Sequence, residues 1–441
     1  MVDIMGYWYL PGNEDKKIAG TLTYIPNGNI TLRLFDSFYE PVESLDLALS
    51  ALPITIWGIS SKDEPITLLD CYIKNFNLQN PSSFNLISYQ ANYCVIGKHL
   101  FNNEDILGCN VRVDFDKLTY WCPPTLWDTE DVIDGKNQHY YTQIRYPIND
   151  SEPTKLTQVE INDNLTLALR VRTNTNYTIK SIHIDQETVL DLKYMSSVSL
   201  KQILTDIHLF NQFLVIATMQ DVTTTNICVA SEESLNDIKI YFVTPPSNEC
   251  IENEFLFDDP RIDENFPDII RTWYHTNQDF EPIKDYLIDI LRRKDYSLSG
   301  FLQIVQAIDG YWQRFKDEDY KKQKKEQKKE EKKETKNNKQ KKEKEVSFKT
   351  ELEQLVKSFN GVTIITDIKW NYEKITDTRH HYSHLLKDGK KKDVIKDNKE
   401  LRTTTKNLSA LLVCCILEHL EIDKMSIGNS LTNAASKFLC S

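Results

Sequence analysis

Apolar and polar positions alternate along residues 18–34. Ile18, Leu22 and Tyr24 fall on every second position with Gly20 between them, and Ile30, Leu32 and Leu34 repeat the pattern. A period of two is that of a half-buried strand. The intervening Pro26-Asn27-Gly28-Asn29 suits a tight hairpin, because Asn and Gly accept positive φ. Further strand-like runs cover 53–59, 66–73, 83–96, 109–115, 140–146 and 159–161. Residues 165–171 and 177–184 read as another hairpin, joined by a polar Asn/Thr turn. Residues 200–217 place Ile203, Leu204, Ile207, Phe210, Leu214 and Ala217 on one helical stripe, and strands follow at 227–230 and 238–243. Pro245-Pro246 and Asp258-Asp259-Pro260 then mark a domain exit.

Beyond residue 262 the period becomes helical. Helices are expected at 266–276, 282–293, 298–316, 348–359, 366–386 and 399–420, with a short one at 429–439. Short connections between amphipathic helices favour an antiparallel bundle. The bundle is interrupted by residues 316–345, which hold 14 Lys and 9 Asp/Glu, with Tyr320 alone suited to burial. Such a segment cannot offset its ordering entropy and is expected to be solvated. Its net charge of +5 suits either a tolerated insertion or an arm that contacts phosphates. The expected architecture is α+β and multidomain, with a β-rich domain over 1–261 and an all-α bundle over 262–441.

Composition narrows the function. A chain of 441 residues exceeds one ordinary core, and 40% hydrophobic with 27% charged residues is the balance of a globular protein. Met1 to Gly6 has no basic segment leading into an apolar core, so no signal peptide is expected. The best apolar run, 408–417, is half the ~20 residues of a membrane span. The nine cysteines are scattered without a C-x-x-C pair, which suits free thiols in a reducing cytoplasm. The net charge of -12 is uneven: residues 1–250 carry 17 basic and 31 acidic side chains, the remainder 36 and 34. A polyanion is repelled by the first part and tolerated by the second.

Chemistry concentrates in Asp377-Thr378-Arg379-His380-His381-Tyr382-Ser383-His384, where three of the nine histidines fall within five residues. On a helix, Arg379 and His384 lie about 140° apart around the axis. The long arginine can bend toward an imidazole one turn onward, so both can reach one anion. His380 and His384, at i and i+4, share a face. Tyr382 reads as a packing residue.

The motif R-x4–6-H late in a helical bundle, with a polar residue after the Arg, is the mark of HEPN domains, which the C-terminal half resembles. His380 occupies the polar position. Upstream, Gly6-x-Trp8-x-Leu10-Pro11, Ile18-x-Gly20-x-Leu22 and the Gly28 hairpin into Leu32 resemble the N-terminal domain of ApeA-like anti-phage defence proteins. Gly97-Lys98-His99-Leu100-Phe101 and Trp127 also fit that pattern. There are two departures: Asp309 stands where an acidic residue, often Glu, is usual, and the lysine-rich insertion is not part of the core pattern.

The resemblance implies a metal-independent endoribonuclease of abortive infection, acting on RNA and in particular tRNA. The 2′-hydroxyl attacks its own phosphate, leaving a 2′,3′-cyclic phosphate and a 5′-hydroxyl. His384 would be the acid/base and Arg379 the phosphate holder, with His380 and Asp309 in support. It further implies a homodimer with a composite site and no cofactor. A nuclease active in its own cytoplasm must be restrained, and by elimination the N-terminal domain is the candidate for that role; whether it binds a phage-derived trigger, a nucleotide or the RNA itself is open. Two alternatives stand beside it. His380-x3-His384 has the spacing of a helical zinc pair, although His381 stands where H-E-x-x-H has Glu. A HEPN domain can also bind RNA or dimerise without cleaving.

Overall fold

Six strands close on themselves in the computed structural model: β1 (Val2–Tyr9), β2 (Ile18–Tyr24), β3 (Ile30–Leu34), β4 (Ile54–Ser60), β5 (Pro65–Phe76) and β6 (Ile87–Ala91). Their order is β5-β4-β1-β2-β3-β6, and β6 pairs back to β5, so this part of the sheet is an antiparallel barrel without a free edge. The alternation at 18–34 fills its interior: Ile18, Leu22, Ile30, Leu32 and Leu34 are buried with Trp8, Ile56, Ile66, Leu68 and Tyr89. The structure describes residues 2–25, 28–39, 52–76, 86–124, 128–134, 139–145, 154–231, 236–243, 254–261, 263–276, 278–320, 322, 346–387, 390–391 and 393–438. Pro26, Asn27, Trp127, Pro245, Pro246 and most of the lysine-rich insertion lie outside them.

The motif that opens the chain is built around Trp8, which is fully buried. Trp8 pairs across to Gly58 on β4 and Ile18 on β2. A Cβ on Gly58 would stand 2.4 Å from the indole and one on Gly20 3.1 Å from it, so both glycines leave room for the ring. The segment Gly97 to Phe101 is a strap across β4 and β5. Trp57 Nε1 donates to the Leu100 carbonyl at 2.7 Å, and Thr67 Oγ1 donates to that of Lys98 at 2.9 Å. His99 stacks on Trp57 at 4.8 Å with 3° between the rings.

β7 (Tyr93–Ile96) extends β5 away from the barrel. The sheet continues through β15 (Ile238–Phe242), β14 (Thr224–Val229), β8 (Ile106–Phe115), β13 (Ile182–Ser199), β12 (Leu165–Tyr177) and β11 (Thr154–Glu160). β9 (Asp128–Asp134) and β10 (His139–Arg145) form a separate ribbon, and α1 (Leu118–Trp121) follows β8. The polar segment 172–176, expected as a turn, is paired strand: Arg172 opposes Glu187 and Asn176 opposes His183. Cross-strand charge explains this, since Arg172 bridges Asp114 at 3.0 Å and also Glu187. The reversal sits at Thr178–Ser181, where Thr178 N donates to Ser181 O at 2.8 Å. α2 (Leu200–Thr218) begins amphipathic, but from Phe210 to Ala217 every residue is buried.

Two compact units emerge. One comprises residues 1–211, 222–251 and 259–267, the other 212–221, 252–258 and 268–441. Helices α3 (Phe266–Tyr274), α4 (Glu281–Arg293), α5 (Leu298–Tyr311), α6 (Phe348–Ser358), α7 (Thr363–Asp367), α8 (Tyr372–Ser383), α9 (Asn398–His419), α10 (Lys424–Asn433) and α11 (Ala435–Phe438) follow. α5 runs directly into a π-helical turn, Trp312–Lys316. The centre of the helical unit is α9, whose stretch from Leu408 to Leu417 is buried on all sides. That accounts for its apolar run as core. Among the described residues, no helix is long and apolar enough to cross a membrane.

The helix expected over 366–386 is two, α7 and α8. Asn371 caps α8 by accepting from Lys374 N at 3.0 Å, and Trp370 Nε1 fixes the corner by donating to Ile365 O at 3.0 Å. The last expected helix starts earlier, at Lys424, because Asp423 accepts from the backbone of Met425 and Ser426.

Candidate active site

Helix α8 carries the motif, and its neighbours α5 and α6 are what position Arg379. Asp309 projects from α5 and accepts from Arg379 Nη2 in an ion pair. Phe348, the first residue of α6, lies under the guanidinium, with Cζ 4.4 Å from the ring centre. The arginine is held between a carboxylate and an aromatic face, and about a third of its side chain is exposed.

One turn along α6 from Phe348 stands Glu351, only 1% exposed. Gln313 Nε2, from the π-helical turn, donates to Glu351 Oε1 at 3.0 Å. Burial pushes the Glu351 carboxyl up to about 8, reinforced by the charge of Asp309 and a hydrogen bond with it; Arg379 opposes the shift and Asp317 adds to it. Neither Phe348 nor Glu351 stands out in the sequence reading. The available signal was a Glu on an apolar stripe: Phe348, Glu351, Leu352 and Leu355 recur at helical spacing and are all buried.

His384 is not inside the helix. It is the C-terminal cap residue of α8, with its N–H donating to His380 O at 3.3 Å. Leu385 follows with φ 47°, and Leu386 N–H donates back to His381 O at 3.0 Å, a Schellman closure without glycine. His380 and His384 are both exposed, with ring centres 4.7 Å apart. Partial desolvation, with help from Lys391 and His384, holds the His380 imidazole below its ordinary value, which favours its neutral form near neutral pH. The structure therefore brings Asp309 to Arg379 and His380 to His384.

The loop after the motif folds back along α8. Thr378, fully buried, accepts from Ile395 N at 2.9 Å, and Lys391 bridges Asp377 at 2.9 Å. Tyr382 donates to Ile395 O at 3.4 Å, so its hydroxyl serves the loop. Asp377, Thr378 and Tyr382 thus hold the loop, and Arg379, His380 and His384 take no part in that contact set. Among the described residues, no three His, Cys, Asp or Glu side chains gather as a metal-ligand set.

The arrangement offers a fixed cation and two solvent-facing imidazoles, one on the next residue of the helix and one about one and a half turns on, at its cap. That combination can bind a phosphodiester and move protons at it.

Comparison with known proteins adds two matches. The model of ApeA N-terminal domain 1 matches residues 3–273, and that of the Apea-like HEPN domain matches residues 302–425. The second span contains Asp309, Glu351, Arg379 and His384. Neither a curated protein nor a solved structure matches the chain.

Proposed function

Because the chain belongs to the ApeA family and carries its HEPN domain, we propose that it is an anti-phage defence ribonuclease. The substrate is RNA, and tRNA is the class that the family suggests. The observation that carries this reading is the preset guanidinium: Arg379 is gripped by Asp309 and Phe348 on the helix that ends at the exposed His384.

RNA brings its own nucleophile next to the scissile phosphate. Arg379 neutralises a non-bridging oxygen and stabilises the charge that grows there as the 2′-oxygen attacks. His384 exchanges the proton, removing it from the 2′-hydroxyl or giving one to the departing 5′-oxygen. His380 stands beside that imidazole, with ring centres 4.7 Å apart. Asp309 keeps the guanidinium fork oriented. In a homodimer, two such helices would face one phosphate, each supplying an Arg/His pair.

Incubating the purified full chain with bulk RNA, with and without EDTA, tests the reading. The expected outcome is cleavage unaffected by the chelator, with products ending in 2′,3′-cyclic phosphate. Chelator-sensitive cleavage, or intact RNA with bound protein, would replace it with a metal-dependent or a binding-only reading respectively.

A further inference from the structure

Behind Arg379 lie two carboxyl groups with no donor between them. Glu351 Oε1 is served by Gln313, but its Oε2 is buried and meets no donor among the described residues. Its hydrogen-bonding neighbour is the carboxyl of Asp309, whose Oδ2 already accepts from Arg379. With Glu351 only 1% exposed and the Asp309 side chain 24% exposed, two ionised carboxylates in contact there would repel, and the contact becomes favourable once they share one proton. We propose that Glu351 is a positioning residue that carries this proton and donates it to Asp309, and so locks Asp309, and through it Arg379, in the orientation that grips an RNA phosphate. The last step rests on the nuclease reading above; the proton and the locked arginine do not.

The charged surroundings settle which carboxyl holds the proton. From α5 and the turn after it, Asp309 and Asp317 face Glu351 with negative charge and Gln313 with an amide; from α8, Arg379 faces it with positive charge. Asp309 touches Arg379 directly, so a proton placed on Asp309 would cancel that ion pair. Glu351 is deeper, forms no ion pair with a cation among the described residues, and takes the proton, consistent with its upward shift to about 8. The sign of the pH dependence follows. Below that value Glu351 is neutral and the lock is closed. Above it a second negative charge appears beside Asp309, competes for Arg379 and loosens the grip.

The proposal separates Glu351→Gln, which keeps a donor toward Asp309 and cannot ionise, from Glu351→Leu, which keeps only bulk. In infrared spectra of the full chain in D2O, wild type should show a carboxylic-acid band that titrates away near pH 8 and is missing from Glu351→Gln. At pH 7 the Arg379 Nε–H, identified by its loss in Arg379→Lys, should be protected from exchange in wild type and Glu351→Gln and lose protection in Glu351→Leu. Cleavage should fall about 10²-fold in Glu351→Leu, the scale of a misplaced catalytic group. Glu351→Gln should recover most of that and lack the alkaline decline of wild type. Absence of the band, or equal Arg379 protection in the Leu variant and wild type, overturns the proposal. If band and protection behave as expected but no variant cleaves RNA at any pH, the lock stands and the nuclease reading fails.

Discussion

A guanidinium held by a carboxylate on one side and an aromatic face beneath has lost much of its freedom before any substrate arrives. Arg379 is in that position, between Asp309 and Phe348. Preorganisation of this kind lowers the cost of ordering a flexible side chain around a transition state. Arg379→Lys should therefore lose most of the cleavage rate, because an ammonium cannot present a planar fork to both Asp309 and a phosphate. His384→Ala should lose about 10²–10⁴-fold, the usual worth of an acid/base group. An exposed cap residue contributes little packing, so its circular dichroism and melting should match wild type. Near-normal cleavage by a folded His384→Ala chain would remove His384 from the mechanism. Arg379, His380 and His384 were legible because their residue types and spacing are unusual, and Asp309 because of the resemblance. Glu351 was less so: it shares the apolar stripe of Phe348, Leu352 and Leu355, but only tertiary packing shows that its carboxyl is buried rather than reaching out to solvent.

At the scale of elements, the strands with clean alternation were legible, and those whose two faces share one polarity were not. The outer part of β12, Arg172 to Asn176, is polar at every position, so it read as a turn although the ladder continues to Tyr177↔Ile182. β1 escaped for a different reason: Gly6, Trp8 and Leu10 drew attention as a motif, yet Val2–Tyr9 is a strand at the heart of the barrel. The break between α7 and α8 was hidden because it is made by one cap and one indole hydrogen bond, with neither Pro nor Gly at the corner. The barrel makes a direct stability prediction. Gly58→Ala puts a methyl 2.4 Å from the Trp8 ring. Overpacking of this kind typically costs about 1–3 kcal/mol, read as an earlier denaturant midpoint for the β-rich unit. An unchanged midpoint would show that Trp8 can move aside.

At the scale of the whole molecule, the site described on one chain is open on the side of His384. The cap residue is exposed and Leu385 is 87% exposed among the described residues. A two-fold partner is the economical way to complete the surroundings of a phosphate, since it brings a second Arg379 and His384 by symmetry. Specific activity of the full chain should therefore fall on dilution, with the same midpoint as the change in mass seen by light scattering. Constant activity across the dissociation of a dimer would show that one chain suffices. Charge acts at this scale too: the net of -14 over residues 1–250 disfavours a polyanion near that part of the chain, so RNA is expected to meet the remainder.

The π-helical turn at Trp312–Lys316 changes how many residues the helix spends per turn. An α-helix has no slack for one more residue. An added residue would rotate everything downstream by about 100°. A π-helical turn absorbs the surplus locally. Upstream of it, Asp309 keeps its aim at Arg379 and Tyr311 its hydrogen bond to Glu418 at 3.0 Å. Within and beyond it, Gln313 and Asp317 come round to face Glu351. The irregular turn thus reconciles two registers on one helix, and the long lysine-rich segment begins just where that adjustment ends.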